Sequence, residues 1–174
     1  MVRGTELAHL LRGDHHTRVI ASHLEGDGHF TSERFTVGPV LCRDEDDYWR
    51  GLAKHWGSGL TLVNLEHDID ATDEHIAELL ACPHPACTWA YECHWATTGQ
   101  SDPQVAAGKG DFETHLTGGE EWADWSAIGL VKLRPEARIA GLARTKWQLL
   151  EHSVHASVRG PWHVHWPLVA HHHW

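Results

Sequence analysis

The sequence predicts an α/β domain in which helices flank a mixed sheet, and three observations carry that expectation. The apolar run Leu60–Leu65 lacks polar alternation, as a strand covered on both faces requires. An amphipathic stretch at 44–56 precedes it, and a second at 72–81 follows. A further strand-like run then begins at Ala86, and helices alternating with buried strands favour layered α/β packing over an all-β fold.

Taken in order, residues 1–16 are polar and mixed, with Asp14-His-His16 as their densest feature, and predict a short helix or arm. Thr17–Ser22 predicts a first strand, Glu25–His29 a turn, and Phe35–Cys42, interrupted by Gly38-Pro39, an irregular second strand. Asp44 is the expected N-cap of the helix at 44–56, whose apolar face is Tyr48, Trp49, Leu52, Ala53 and Trp56 and whose stop is Gly57-Ser-Gly59. Thr72 can cap the next helix, with Ile76, Leu79 and Leu80 facing inward and Pro83 blocking its continuation.

Ala86–Glu92 reads as another strand. Residues 97–119 turn to Gly, Asp, Thr and Gln, predicting a long loop of the kind that serves as a lid or binding segment. Trp125–Leu133 regains strand character, and Pro135 can open a short helix. Thr145-Lys-Trp-Gln148 matches a capping box for a helix that places Trp147, Leu150, Val154 and Val158 on one face. Gly160-Pro161 ends that helix, and 162–174 is a histidine-rich, strand-like C-terminal segment.

The length of 174 residues suits one domain spanning 1–174. A formal charge of −10, from 14 basic and 24 acidic residues without a basic cluster, argues against a nucleic-acid backbone as partner. A nucleotide held through a metal is compatible with that charge. The 18 histidines make the net charge strongly pH-dependent, and the 10 tryptophans serve as core or as flat platforms for sugar rings. Met1–Gly13 lacks a long apolar leader and no window approaches a membrane span, so the expectation is a cytoplasmic protein with four reduced cysteines and no membrane partner.

The densest chemistry follows the buried strand. Leu60–Asp70 ends in Glu66, His67, Asp68 and Asp70, and the carboxyl ends of strands border the crevice where α/β folds bind ligands. The Asp68-Ile-Asp70 spacing can present hard oxygen ligands to Mg²⁺ or Mn²⁺, and such an ion can stabilise a diphosphate leaving group. The bland alternative is a pair of acids capping the helix at 72–81.

In three places the order resembles the GT-A glycosyltransferases, family 2 in particular. Leu62–Asp70 is similar to their strand ending in D-x-D, Trp125–Lys132 to their acceptor-side segment, and Lys146–Glu151 with Trp162–His173 to the helix bearing a catalytic acid and the later strand that carries a metal-binding histidine. The resemblance implies a Rossmann-like, GT-A-like mixed sheet, a nucleotide-sugar donor, an acceptor of unknown identity, and Mn²⁺ or Mg²⁺ as cofactor. It further implies nucleotide and metal contacts from Glu66, Asp68 and Asp70, a further metal ligand among His163, His165 and His171, and Glu151 or Asp124 as the base.

A second constellation is Cys82-Pro-His84-Pro-Ala-Cys87, with Cys93-His94 beyond it. Thiolates and imidazoles at short spacing can form a tetrahedral Zn²⁺ site from Cys82, His84, Cys87 and Cys93; a reduced buried pair, or a Cys82–Cys87 disulfide in an exported chain, is the plainer reading. The tail histidines and the acids together would also suit a metal-dependent hydrolase. Glu120-Glu121-Trp-Ala-Asp124-Trp125 sets carboxylates beside indoles, which suits sugar recognition or the start of a helix. No G-x-x-x-x-G-K-[ST], G-x-S-x-G or H-E-x-x-H occurs. The function expected is metal-dependent sugar transfer, with a non-enzymatic zinc-binding or assembly protein and a hydrolase as rivals.

Overall fold

The computed structural model describes residues 17–24, 37–42, 44–66, 69–93, 104–112, 114–144 and 150–169. Its strands are β1 (Thr17–Leu24), β2 (Val37–Cys42), β3 (Thr61–Glu66), β4 (Ala86–Cys93), β5 (Gln104–Val105), β6 (Ala107–Gly108), β7 (Trp122–Ala123), β8 (Trp125–Ser126), β9 (Leu130–Leu133) and β10 (Trp162–Val169). The helices are α1 (Glu45–Trp56), α2 (Asp73–Ala81) and α3 (Leu150–Ala156), with a 3-10 turn at Pro135–Ala137.

Local signals set the first two helices. Asp44 accepts from Asp47 N at 2.8 Å to cap α1, and Arg138 reaches His55, Ser58 and Leu60 carbonyls to close its other end. Thr72 caps α2 in a reciprocal box with His75, whose Nδ1 accepts from Thr72 N at 3.1 Å. The box predicted at 145–148, the arm at 1–16 and the turn at 25–29 lie outside the described residues.

The main sheet runs in the order β2-β1-β3-β9-β4-β10-β7, with β5 added beside β4. β1, β2 and β3 are mutually parallel, β9 is antiparallel to both β3 and β4, and β10 is parallel to β4. The five longest strands therefore point one way, and the sheet has one edge made of their amino ends and another made of their carboxyl ends. This is an α/β fold with a mixed sheet.

Alternating side chains divide the core into two layers. On one face Leu62, Val131, Leu133, Trp162 and Val164 pack with Leu52 and Trp56 of α1 and with Leu150 and Val154 of α3. On the other, Val63, Leu65, Cys87, Trp89 and Leu130 pack under Ile76 and Leu79 of α2. Each such buried apolar side chain contributes about 1.5–3 kcal/mol relative to exposure. The indoles of Trp49, Trp56, Trp89, Trp125 and Trp166 each donate to a backbone carbonyl, which makes them satisfied packing groups.

Two expectations change. The stretch 97–119 is not loop throughout: Ala106 N donates to Tyr91 O, and β5 and β6 form beside β4 and β8. The strand expected over Trp125–Leu133 divides into β8, which pairs with β6, and β9, which pairs with β3 and β4; between them residue 129 passes against Tyr91, where a Cβ would come within 2.7 Å of the phenol ring. Any side chain there would force the ring or the connection to shift. Among the described residues, no helix is long and apolar enough to cross a membrane.

Candidate functional site

At the carboxyl edge, β3 delivers Glu66 onto the face covered by α1. Tyr48 of α1 donates its hydroxyl to Glu66 Oε1 at 2.7 Å and accepts from Asn64 Nδ2 at 2.7 Å. Asn64, only 2% exposed, also donates to Ile128 O at 2.7 Å, so the relay is tied to backbone. Glu66 N donates to Gly129 O at 2.7 Å. Beyond it Ile69 is buried and Asp70 is exposed, while His67 and Asp68 lie outside the described residues. Thr72, not Asp70, caps α2, which removes the plain helix-capping role for that acid.

A cleft of about 380 Å³ opens at the same edge, between the ends of β4 and β10, lined by Glu92, Gln104, His115, Thr117 and Leu168 among others. His115 Nδ1 lies 2.7 Å from Val105 O; a carbonyl only accepts, so that nitrogen carries the proton. Gln104, Val105 and residues 115–117 thus form part of the cleft wall.

In the amino-terminal halves of β4 and β10 the structure brings together residues that the sequence assigns to two different sites. Cys82 follows α2, Cys87 is the second residue of β4, and His163 and His165 are the second and fourth residues of β10. The register pairs His163 with Cys87 and His165 with Trp89, so these side chains share the α2 face. One ligand atom from each of Cys82, Cys87, His163 and His165 falls within 4.8 Å of the others.

This corrects the expected Asp68/Asp70 metal shell: His163 and His165 are grouped with Cys82 and Cys87, and in register they lie level with Val63 and Leu65, with β9 and β4 between β3 and β10. His171 lies outside the described residues. It also corrects the expected zinc set. Cys93 is six residues along β4 from Cys87, about 20 Å at strand rise, and cannot join it. His84 instead stacks on the His163 ring at 4.4 Å and forms a second group with Glu121 and His163.

Burial pushes the Cys87 thiol up to about 12, with the Cys82 thiol beside it adding to the rise and Lys132 opposing it. Burial likewise lowers Lys132, His163 and His165. Lys132, wholly buried on β9, is paired with Cys87 in register and donates to Cys82 O at 2.7 Å. Sequence reading missed Lys132 and Glu78; a charge inside an apolar strand was the available signal for the lysine.

Of the two candidate bases, Asp124 joins β7 to β8, and its Oδ2 accepts from Gly110 N at 2.8 Å while its own N donates to Gly108 O. Its carboxylate holds the β6–β8 ribbon. Glu151 falls in the first turn of α3, and its side chain lies outside the described residues. Glu120 accepts from Thr117 N and Gly118 N, which holds its carboxyl down at about 2.

No family model matches the chain, and no curated protein does. Among solved structures it is similar to the crystal structure of A197 from STIV, with a TM-score of 0.50, 10% sequence identity, and 84% of this chain and 81% of that chain covered. At that identity the likeness concerns the fold.

Proposed function

We propose that this chain is a metal-dependent, GT-A-like glycosyltransferase that holds a nucleotide-sugar donor at the carboxyl edge of its sheet. One observation supports this above others: β3, β4 and β10 lie parallel in one sheet and end at the same edge, where a cleft opens at the ends of β4 and β10. The chain leaves β3 into Asp68 and Asp70, and leaves β10 toward His171. Ligands of α/β folds bind at that edge.

The described donors there, Glu66 and Asp70, are carboxylates, the hard oxygen ligands that Mg²⁺ or Mn²⁺ takes, so the residues fit such an ion. Asp68 and Asp70, with His171, would hold it, and when bound it supplies Lewis-acid stabilisation to a diphosphate leaving group. The Tyr48–Asn64 relay orients Glu66. The cleft lined in part by Gln104, Val105 and residues 115–117 receives sugar or acceptor and limits water. On the resemblance, Glu151 takes the proton of the acceptor hydroxyl; Asp124 is set aside because it closes the ribbon.

The test is a panel of UDP- and GDP-sugars incubated with Mn²⁺ and candidate acceptors, following nucleotide release. Release that depends on acceptor and falls at least about 100-fold in Asp68→Asn and Asp70→Asn is expected, as for loss of a group that acts on the reacting centre. Release with water alone at an undiminished rate would favour a hydrolase. Release unaffected by either substitution would overturn the assignment of the site.

A further inference from the structure

We propose that Cys82, Cys87, His163 and His165 bind one zinc ion that staples the amino-terminal halves of β4 and β10. The distances between donor atoms carry the argument. With Zn–S near 2.3 Å and Zn–N near 2.05 Å, a tetrahedral site has edges of about 3.3 Å between nitrogens, about 3.6 Å between sulfur and nitrogen, and about 3.8 Å between sulfurs. His163 Nδ1 lies 3.3 Å from His165 Nε2, and Cys82 Sγ lies 3.5 Å from His163 Nδ1. Two edges therefore already have tetrahedral length.

The third described edge, Cys82 Sγ to Cys87 Sγ, is 2.9 Å and both cysteines are free. That is well beyond the ~2.05 Å of a disulfide. It needs to open by about 0.9 Å for zinc, a displacement within reach of small χ1 rotations.

The outer contacts have the pattern of metal-bound imidazoles, whose second nitrogen is usually directed to a carboxylate or carbonyl. His165 turns Nδ1 to Glu78 Oε1 at 3.3 Å, leaving Nε2 inward. His163 turns Nε2 toward Glu121 Oε1 at 3.8 Å, leaving Nδ1 inward. The rings are held by stacking: His84 covers His163, and Trp89 covers His165 at 5.3 Å. Both inward nitrogens thus face the sulfurs.

Lys132, buried on β9 in register with Cys87, donates to Cys82 O at 2.7 Å and so holds the Cys82 turn against the strand that carries Cys87. Mixed thiolate and imidazole ligation selects zinc over Mg²⁺ or Mn²⁺, and four protein ligands, three of them no more than 9% exposed, make a closed structural site. The ion would join residues 82 and 165, otherwise linked through 82 intervening residues of chain.

The experiment is metal analysis of the full chain purified under reducing conditions, followed by cobalt exchange. About one zinc per chain is expected, and cobalt should give intense visible ligand-field absorption with a sulfur-to-metal charge-transfer band. Cys87→Ser should remove that band. Glu78→Gln keeps all four ligands and a folded chain, and should weaken zinc roughly 10- to 100-fold in chelator competition. Asp68→Ala should retain the zinc. Folded, reduced protein that holds no zinc and takes up cobalt without the charge-transfer band would overturn the proposal, as would a Cys82–Cys87 disulfide formed in reductant. Unchanged zinc affinity in Glu78→Gln would overturn the role given to that carboxylate.

Discussion

The hydroxyl of Tyr48 bridges Glu66 and Asn64, donating to one and accepting from the other at 2.7 Å each. This couples helix α1 to the last residue of β3, where the chain turns toward Asp68 and Asp70. Tyr48→Phe keeps the ring and removes the bridge, leaving the Asn64 amide short of an acceptor in a buried site. Urea denaturation should show a loss of about 1–3 kcal/mol. A loss below experimental error would mean that the relay does not hold the edge.

Gly129 meets Tyr91 at the same edge. Its N–H donates to the Tyr91 hydroxyl at 3.1 Å, and its carbonyl accepts from Glu66 N. Gly129→Ala places a Cβ within 2.7 Å of the Tyr91 ring, so the ring or the β8–β9 connection must shift. Overpacking of this kind costs about 1–3 kcal/mol. Pairing the change with Tyr91→Leu in a double-mutant cycle should recover part of the loss, because the group that it strikes is gone.

Glu120 provides a pH test with a definite sign. Its carboxyl is held at about 2 by the Thr117 and Gly118 amides, below its ordinary 4.5. A carboxyl depressed in the folded state adds stability above the unfolded value and loses it as pH falls through the folded value. Thermal melts should show Glu120→Gln less stable than the parent above pH 5, with the gap narrowing between 4.5 and 2. The group is exposed and screened, so the gap should be small and should also shrink in high salt.

Much of the fold is legible in local chemistry. Asp44 and Thr72 announce the starts of α1 and α2, and Leu60–Leu65 and Ala86–Glu92 read as strands because their apolar runs lie between strong stops. What is illegible is long-range. Nothing near Leu130 says that β9 enters between β3 and β4 in reverse, and nothing near His163 says that its partner in register is Cys87. The histidines were recognisable as ligands, but their site depends on which end of β10 they occupy. The change of partner that divides the 125–133 run, from β6 to β3 and β4, is likewise tertiary, and so is the pairing that turns 104–108 into strands. Lys132 stands out in sequence as a charge inside an apolar run, but nothing near it says that Cys82 and Cys87 are its neighbours.

The most direct measurement is calorimetric titration of UDP and GDP into the protein, with and without Mn²⁺, repeated for Asp68→Ala. The account predicts binding of at least one nucleotide that requires Mn²⁺ and disappears in the substituted protein, which stays folded. No heat from either nucleotide with folded parent protein would contradict a donor site at the carboxyl edge of β3.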